Sequence, residues 1–338
     1  MTPSVNSLPP GVTRALKKGL ARAAPPRRLR KNFVALDAAA QDELRAQILR
    51  TLKAADPEWF SPAYCSTEAG RREIEDEVSG RLARIRTSFV PWFDRAIRLN
   101  GKRVLEVGCG TGVLSVALAE QGAEVVGIDV LGDCLDAAGR RCALHGVKAD
   151  FFRADAAKLD DVLGNRTFDM IVFAASLEHM TFDERMISMR TTWEALPPGG
   201  FWCLNETPNR LWFMDRHTSH LPFFHWLPDE LAYRYAGHSA REPFRRIYGS
   251  KTPAPGTLVD FLRRGRGLSY HEFALALKPP EDLDVVSSFS LYERKRNLLK
   301  ALLWSLTLEG RYEALLARLG PRIHPGFYHP WLNLIIRK

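Results

Sequence analysis

Val104-Leu-Glu-Val-Gly-Cys-Gly-Thr-Gly112 decides the fold. The apolar run Arg103 to Val107 supplies a buried parallel strand, and Val113 to Glu120 supplies the helix that must follow it. Gly108, Gly110 and Gly112 stand at the strand-to-helix turn, where positive φ and close backbone approach are needed, so a ligand can lie against bare backbone. A dinucleotide-binding turn would read G-x-G-x-x-G, whereas here the glycines alternate and position 113 is Val, which argues against a nicotinamide enzyme. Glu106, two residues before the first glycine, would repel a pyrophosphate but can accept from an ammonium group. A zwitterionic, net-positive cofactor fits that carboxylate better.

Four further elements follow in order. Glu124 to Asp129 reads as a second strand ending in an acid 17 residues after Gly112, where a carboxylate can take both ribose hydroxyls. Ala149 to Ala156 reads as a third strand, Phe168 to Ala174 as a fourth, and Phe201 to Asn205, after the Leu196-Pro-Pro-Gly-Gly200 turn, as a fifth. This ordered set resembles the class I S-adenosylmethionine-dependent methyltransferases, in their ubiquinone-type O-methyltransferase branch. The resemblance implies an α/β fold: a doubly wound, seven-stranded, Rossmann-like sheet whose last strand is antiparallel, with N-terminal helices and a lid insertion after strand five. It implies S-adenosyl-L-methionine as cofactor, with Asp129 on the ribose, Asp155 and Ala156 beside the adenine, and Glu106, Gly108, Gly110, Gly112 and Ser176 completing the donor site.

The acceptor side must come from the loops after strands four and five, because ligands of open α/β sheets sit beyond the carboxyl ends of the strands. The first loop contains Ser176-Leu-Glu178-His179, which resembles the Glu-His pair of the ubiquinone-type enzymes. Some relatives, and the small-RNA 2′-hydroxyl methyltransferases, have Glu-x-x-Glu-His there and hold a divalent metal with it. Ala175 stands in place of the first Glu, so a divalent metal is not favoured, although Glu206, His217, His220 and His225 offer substitute donors. Methyl transfer from a sulfonium needs no covalent nucleophile, but an alcohol acceptor must lose a proton, which gives a histidine base a role. His179 is the first candidate, and His225 and His217 of the aromatic loop Trp212 to Trp226 follow as lid groups.

Charge narrows the partners. Arg14, Lys17, Lys18, Arg22, Arg27, Arg28, Arg30 and Lys31 precede the first acid, Asp37, so eight of the nine net positive charges lie in residues 1–32, read as a basic, disordered arm. Such an arm suits peripheral contact with an anionic membrane surface. Nucleic acid is not favoured, because the positive charge is not spread along the lid. The longest apolar stretch, Leu298 to Leu308, contains Lys300 and is too short to span a bilayer. Five cysteines without a C-x-x-C pair suit a reducing compartment, so the expected location is cytoplasmic.

The pattern divides the chain into the arm (1–32), a helical cap (33–100), the cofactor-binding core (101–207), the lid (208–267) and a segment that completes the sheet (268–338). In the cap, Tyr64, Thr67 and Gly70 are expected to pass over the bound methionine. In the last segment Ser269 to Leu277 reads as the sixth strand, Tyr292 to Leu319 as a long helix and Trp331 to Ile336 as the final strand. The reading this supports is O-methylation of a small molecule or a glycan- or lipid-linked intermediate. An RNA or protein methyltransferase, and a non-catalytic cofactor-binding regulator, are the alternatives.

Overall fold

The computed structural model describes residues 29–30, 33–159, 164, 166–249 and 255–338; the basic arm otherwise lies outside the described residues. Among the described residues the first helix is α1 (Ala38–Ala55), capped by the Asp37 side chain. A helical run, α2, covers residues 68–97 and is interrupted by π-helical turns at Asp76–Gly80 and Ile85–Phe89. The sheet is then built by β1 (Arg103–Val107), α3 (Val113–Ala119), β2 (Glu124–Asp129), α4 (Gly132–Leu144), β3 (Asp150–Arg153), β4 (Met170–Ala174), α5 (Phe182–Ala195) and β5 (Phe201–Pro208). After β5 come α6 (Asp229–Tyr235), α7 (Glu242–Tyr248), α8 (Pro255–Leu262) and α9 (Tyr270–Ala276). Then follow β6 (Asp284–Ser288), α10 (Phe289–Arg296), α11 (Leu298–Leu306), α12 (Leu308–Leu319) and β7 (Trp331–Arg337).

The strand order is β3-β2-β1-β4-β5-β7-β6, parallel from β3 to β5, with β7 antiparallel to both of its neighbours. The order reverses between β1 and β4, so a crevice opens there at the carboxyl ends of the strands. The central strands are apolar without alternation because helices cover both faces; every residue of β4 is buried. A second core, including Leu44, Ile48, Trp59, Tyr64, Phe224, Tyr233, Phe244 and Phe261, joins the N-terminal helices to the segment after β5. Among the described residues no helix is long and apolar enough to cross a membrane.

Two expectations fail in the last third of the chain. Ser269 to Leu277 is not a strand: Ser269 caps α9, its amide donating to the Glu272 carboxylate in a capping box, and Phe273 and Ala276 face the core as helical neighbours. The sixth strand is Asp284–Ser288 instead. The long helix over Tyr292 to Leu319 is broken into α10, α11 and α12, because Asn297 and Thr307 leave the helical conformation and cap the next helix with their side chains.

The glycine turn is tied to α2 by a buried arginine. Arg141 of α4 is fully buried and donates to the carbonyls of Thr111, Val78 and Glu77 at 2.8 Å each. Arg141→Met keeps the bulk but strands three buried carbonyls, and we expect a loss of about 3 kcal/mol in denaturant titration. Four residues on, His145 is buried and accepts from Arg86 at 3.3 Å, and burial with the Arg86 and Arg141 charges pushes its pKa down to about 4. Between pH 6.5 and 4 the unfolded chain therefore binds the proton that the folded chain refuses. Stability is expected to fall with acidification across that window by up to about 1.4 kcal/mol per pH unit from this group, and His145→Gln should flatten the fall in thermal melts.

Candidate active site

A cleft of about 650 Å³ occupies the crevice. Its floor is the turn after β1, where Gly108, Gly110 and Gly112 have φ of 72°, 50° and 75°. A Cβ at Gly108 would come within 2.5 Å of Ser176 and one at Gly112 within 2.8 Å of Ala138, whereas at Gly110 it would meet nothing within 4 Å. The outer two glycines are therefore required by packing. Gly110 faces the open cleft.

The acids predicted for the donor site all line this cleft. Asp129 ends β2, accepting from the amides of Gly110 (2.9 Å) and Leu131 (3.0 Å). Asp155 follows β3, which ends at Arg153 and not at Ala156 as expected, and accepts from Ala157 N–H at 2.9 Å; Ala156 lies beside it. Ser176 donates to the Val107 carbonyl at 2.8 Å, which turns its hydroxyl toward β1. Glu106 is buried and accepts from the Ser115 hydroxyl; burial pushes its carboxyl up to about 8, and a cationic group brought against it would favour the ionised form.

The roof holds residues the sequence did not announce. Arg81 of α2 lines the cleft and reaches Glu206 at 3.2 Å and Glu77 at 3.7 Å. Burial works against its charge, but Glu206 and Glu77 outweigh it and keep the guanidinium protonated. Arg263, from the segment after α8, closes the other side. Arg81 is one of several arginines on a helical run that also carries acids, a pattern that does not distinguish a roof residue from a solvated one. Tyr64, Thr67 and Gly70 are elsewhere: Tyr64 packs in the second core with its hydroxyl on Glu73 (2.5 Å), and Thr67 caps α2 through Gly70 N–H. The span of α2 over the cleft is Glu77 to Ile85.

His179 lines the cleft after β4, but His217 and His225 do not. Its Nδ1 lies 2.8 Å from the Arg263 carbonyl, so that nitrogen carries the proton and Nε2 keeps a free lone pair. Burial, ahead of nearby Arg81 and Arg185, lowers its pKa and favours the neutral ring. The loop is clamped from the segment after α8, Arg266 N–H donating to the Glu178 carbonyl at 3.0 Å, and from α5, where Arg185 donates to Leu177 O at 3.1 Å and pairs with Glu272 at 2.5 Å.

Behind His179 lies Glu178, fully buried, with neither carboxylate oxygen hydrogen-bonded. His217 approaches from the loop after β5, its Nε2 3.9 Å from Glu178 Oε1 and its ring 5.5 Å from that of His179. One ligand atom from each of Glu178, His179 and His217 falls within 4.8 Å of the others. Of the six donors named from the sequence these three come together. Glu206 is taken by Arg81, and His220 is exposed. His225 is buried with Nε2 3.2 Å from Asp215 Oδ1; Asp215 in turn accepts from the amides of His217, Thr218 and Ser219. His225 thus shapes the loop that carries His217 without reaching the cleft.

Residues 104–200 match the family model described as a methyltransferase domain. The chain is 34% identical over 127 residues to the ubiquinone biosynthesis O-methyltransferase of Pseudomonas fluorescens (strain SBW25), covering 37% of this chain and 53% of that protein. The enzyme of the same name from Burkholderia thailandensis is 34% identical over 119 residues, covering 35% and 50%. The chain thus spans about half the length of the curated relatives it matches. Solved structures that align include magnesium protoporphyrin IX methyltransferase from Synechocystis PCC 6803 with bound SAM, at 22% identity and TM-score 0.37 over 52% of this chain and 79% of that one. The CcbJ methyltransferase from Streptomyces caelestis aligns at 27% identity and TM-score 0.34, over 38% and 50%. Residues 104–200, which hold the glycine turn and strands β1 to β4, are thus a methyltransferase domain.

Proposed function

We propose that this chain methylates a hydroxyl of a small-molecule acceptor, the methyl group passing in line from the sulfonium of S-adenosylmethionine to the acceptor oxygen. The observation that carries the reading is one cleft lined by the glycine turn and by the acids after β2 and β3 at the donor side, and by the His179 imidazole at the other. The sulfonium carbon is already activated, so the protein's main contribution is to hold donor and acceptor about 3 to 3.5 Å apart and in line. The hydroxyl must shed its proton, and His179, neutral with a free Nε2, is built to act on it.

Glu178, His179 and His217 also suit a divalent ion with mixed oxygen and nitrogen donors. A buried carboxylate with no hydrogen-bond partner is costly unless something else satisfies it. Such an ion, when bound, would supply a Lewis acid that lowers the pKa of the acceptor hydroxyl. Arg81, held by Glu206 and Glu77, would limit the access of water to the roof of the cleft. The O-methyltransferase names of the curated relatives favour an oxygen acceptor.

Calorimetric titration with S-adenosylmethionine and its demethylated product, first in EDTA and then with Mg²⁺ or Mn²⁺, tests the reading. Micromolar binding followed by transfer of labelled methyl to a hydroxyl-bearing acceptor is expected. No binding of either ligand would overturn it.

A further inference from the structure

We propose that the hairpin of α11 and α12 is a docking surface for an anionic lipid bilayer. On α11, Leu298, Leu299, Leu302, Leu303 and Leu306 are 56–77% exposed. At about 100° per residue these five positions form one stripe along the helix. Trp304 turns the other way: its ring stacks on Trp212 with centroids 6.3 Å apart, and its indole N–H donates to Glu313 at 2.7 Å. The helix therefore has a satisfied inner side and a bare outer one. Leu308, Leu315 and Leu319, exposed by 72%, 50% and 74%, extend the apolar surface onto α12. Single exposed leucines are ordinary, but eight on one hairpin mark an interaction surface.

Charge selects the occupant. Residues 294–308 contain four cations, Arg294, Lys295, Arg296 and Lys300, and no acid. The neighbouring acids are already engaged: Glu293 with Arg296 (3.8 Å), Glu309 with Arg216, and Glu313 with Arg294 (2.5 Å). Among the described residues no ion pair engages Lys295, Lys300, or the exposed Arg311 and Arg318 of α12. A second copy meeting this face by two-fold symmetry would bring like charges together. An anionic headgroup layer accepts the leucines and the cations at once. α11 has nine residues, so it lies on the bilayer instead of crossing it.

Flotation of the full chain with vesicles tests the proposal, using phosphatidylcholine alone and phosphatidylcholine mixed with phosphatidylglycerol. Binding to the mixed vesicles is expected, at least about 10-fold tighter than to the neutral ones and weakened by salt. The triple variant Leu299→Glu, Leu302→Glu, Leu306→Glu should abolish it with an unchanged melting temperature. Lys295→Glu with Lys300→Glu should weaken it at least about 10-fold while leaving the leucines in place. Equal flotation with both vesicle types, no flotation, or flotation that survives the triple variant would each overturn the proposal. So would a concentration-dependent dimer, seen by light scattering, that the triple variant dissolves. Flotation reads membrane contact alone, so its outcome is separable from that of the methyl-transfer reading.

Discussion

Asp129→Ala should weaken binding of S-adenosylmethionine by at least about 100-fold in calorimetric titration. The carboxylate lines the cleft at the end of β2, the position from which it can take both ribose hydroxyls. Each charge-assisted hydrogen bond contributes about 1.5 to 3 kcal/mol, so losing two exceeds the 2.7 kcal/mol that 100-fold requires. The substitution also releases the Gly110 and Leu131 amides, now held at 2.9 and 3.0 Å, and loosens the turn on which the donor would lie. Asp129→Asn separates the two effects, because the amide oxygen can still accept from one backbone N–H while the charge is gone. Unchanged affinity in Asp129→Ala would sink the ribose assignment.

That the glycine turn and the acids after β2 and β3 line one cleft was legible in the sequence because these residues follow a local rule. Gly108 and Gly110 follow β1, Asp129 ends β2 and Asp155 lies two residues past β3, so finding the strand finds the residue. Packing across long separations was not legible. Arg81 reads as one of many helical cations until β5 brings Glu206 to it, 125 positions away. Glu178 and His217 are 39 residues apart, and their approach depends on the loop that Asp215 and His225 fold. β6 was missed because it is a short edge strand whose Asp284, Ser287 and Ser288 leave only two adjacent valines, while the aromatic content of Tyr270 to Leu277 imitates an apolar run. The capping pair Ser269 and Glu272 was the local signal for a helix there.

Replacing His179 by alanine should lower turnover by about 10² to 10⁴-fold while leaving donor affinity within a factor of about 2, since its ring is at the acceptor side of the cleft. The same loss arises whether His179 removes the acceptor proton itself or serves as one of three donors to an ion, and Glu178→Gln distinguishes the two. If His179 acts alone, Glu178→Gln leaves turnover intact and EDTA changes nothing. If the three donors act together, Glu178→Gln and His217→Ala reduce turnover as well, and raised Mn²⁺ restores part of it by mass action. The second outcome is expected. Burial raises the Glu178 carboxyl to about 8 and no hydrogen bond offsets that cost, so Glu178→Gln should leave the melting temperature of the ion-free protein equal or higher. On the three-donor reading, the cost of burying Glu178 beside the His179 imidazole at the cleft is offset by the ion it would help to hold. A drop in melting temperature in Glu178→Gln with turnover preserved would instead make Glu178 a structural group and leave His179 to act as a base alone.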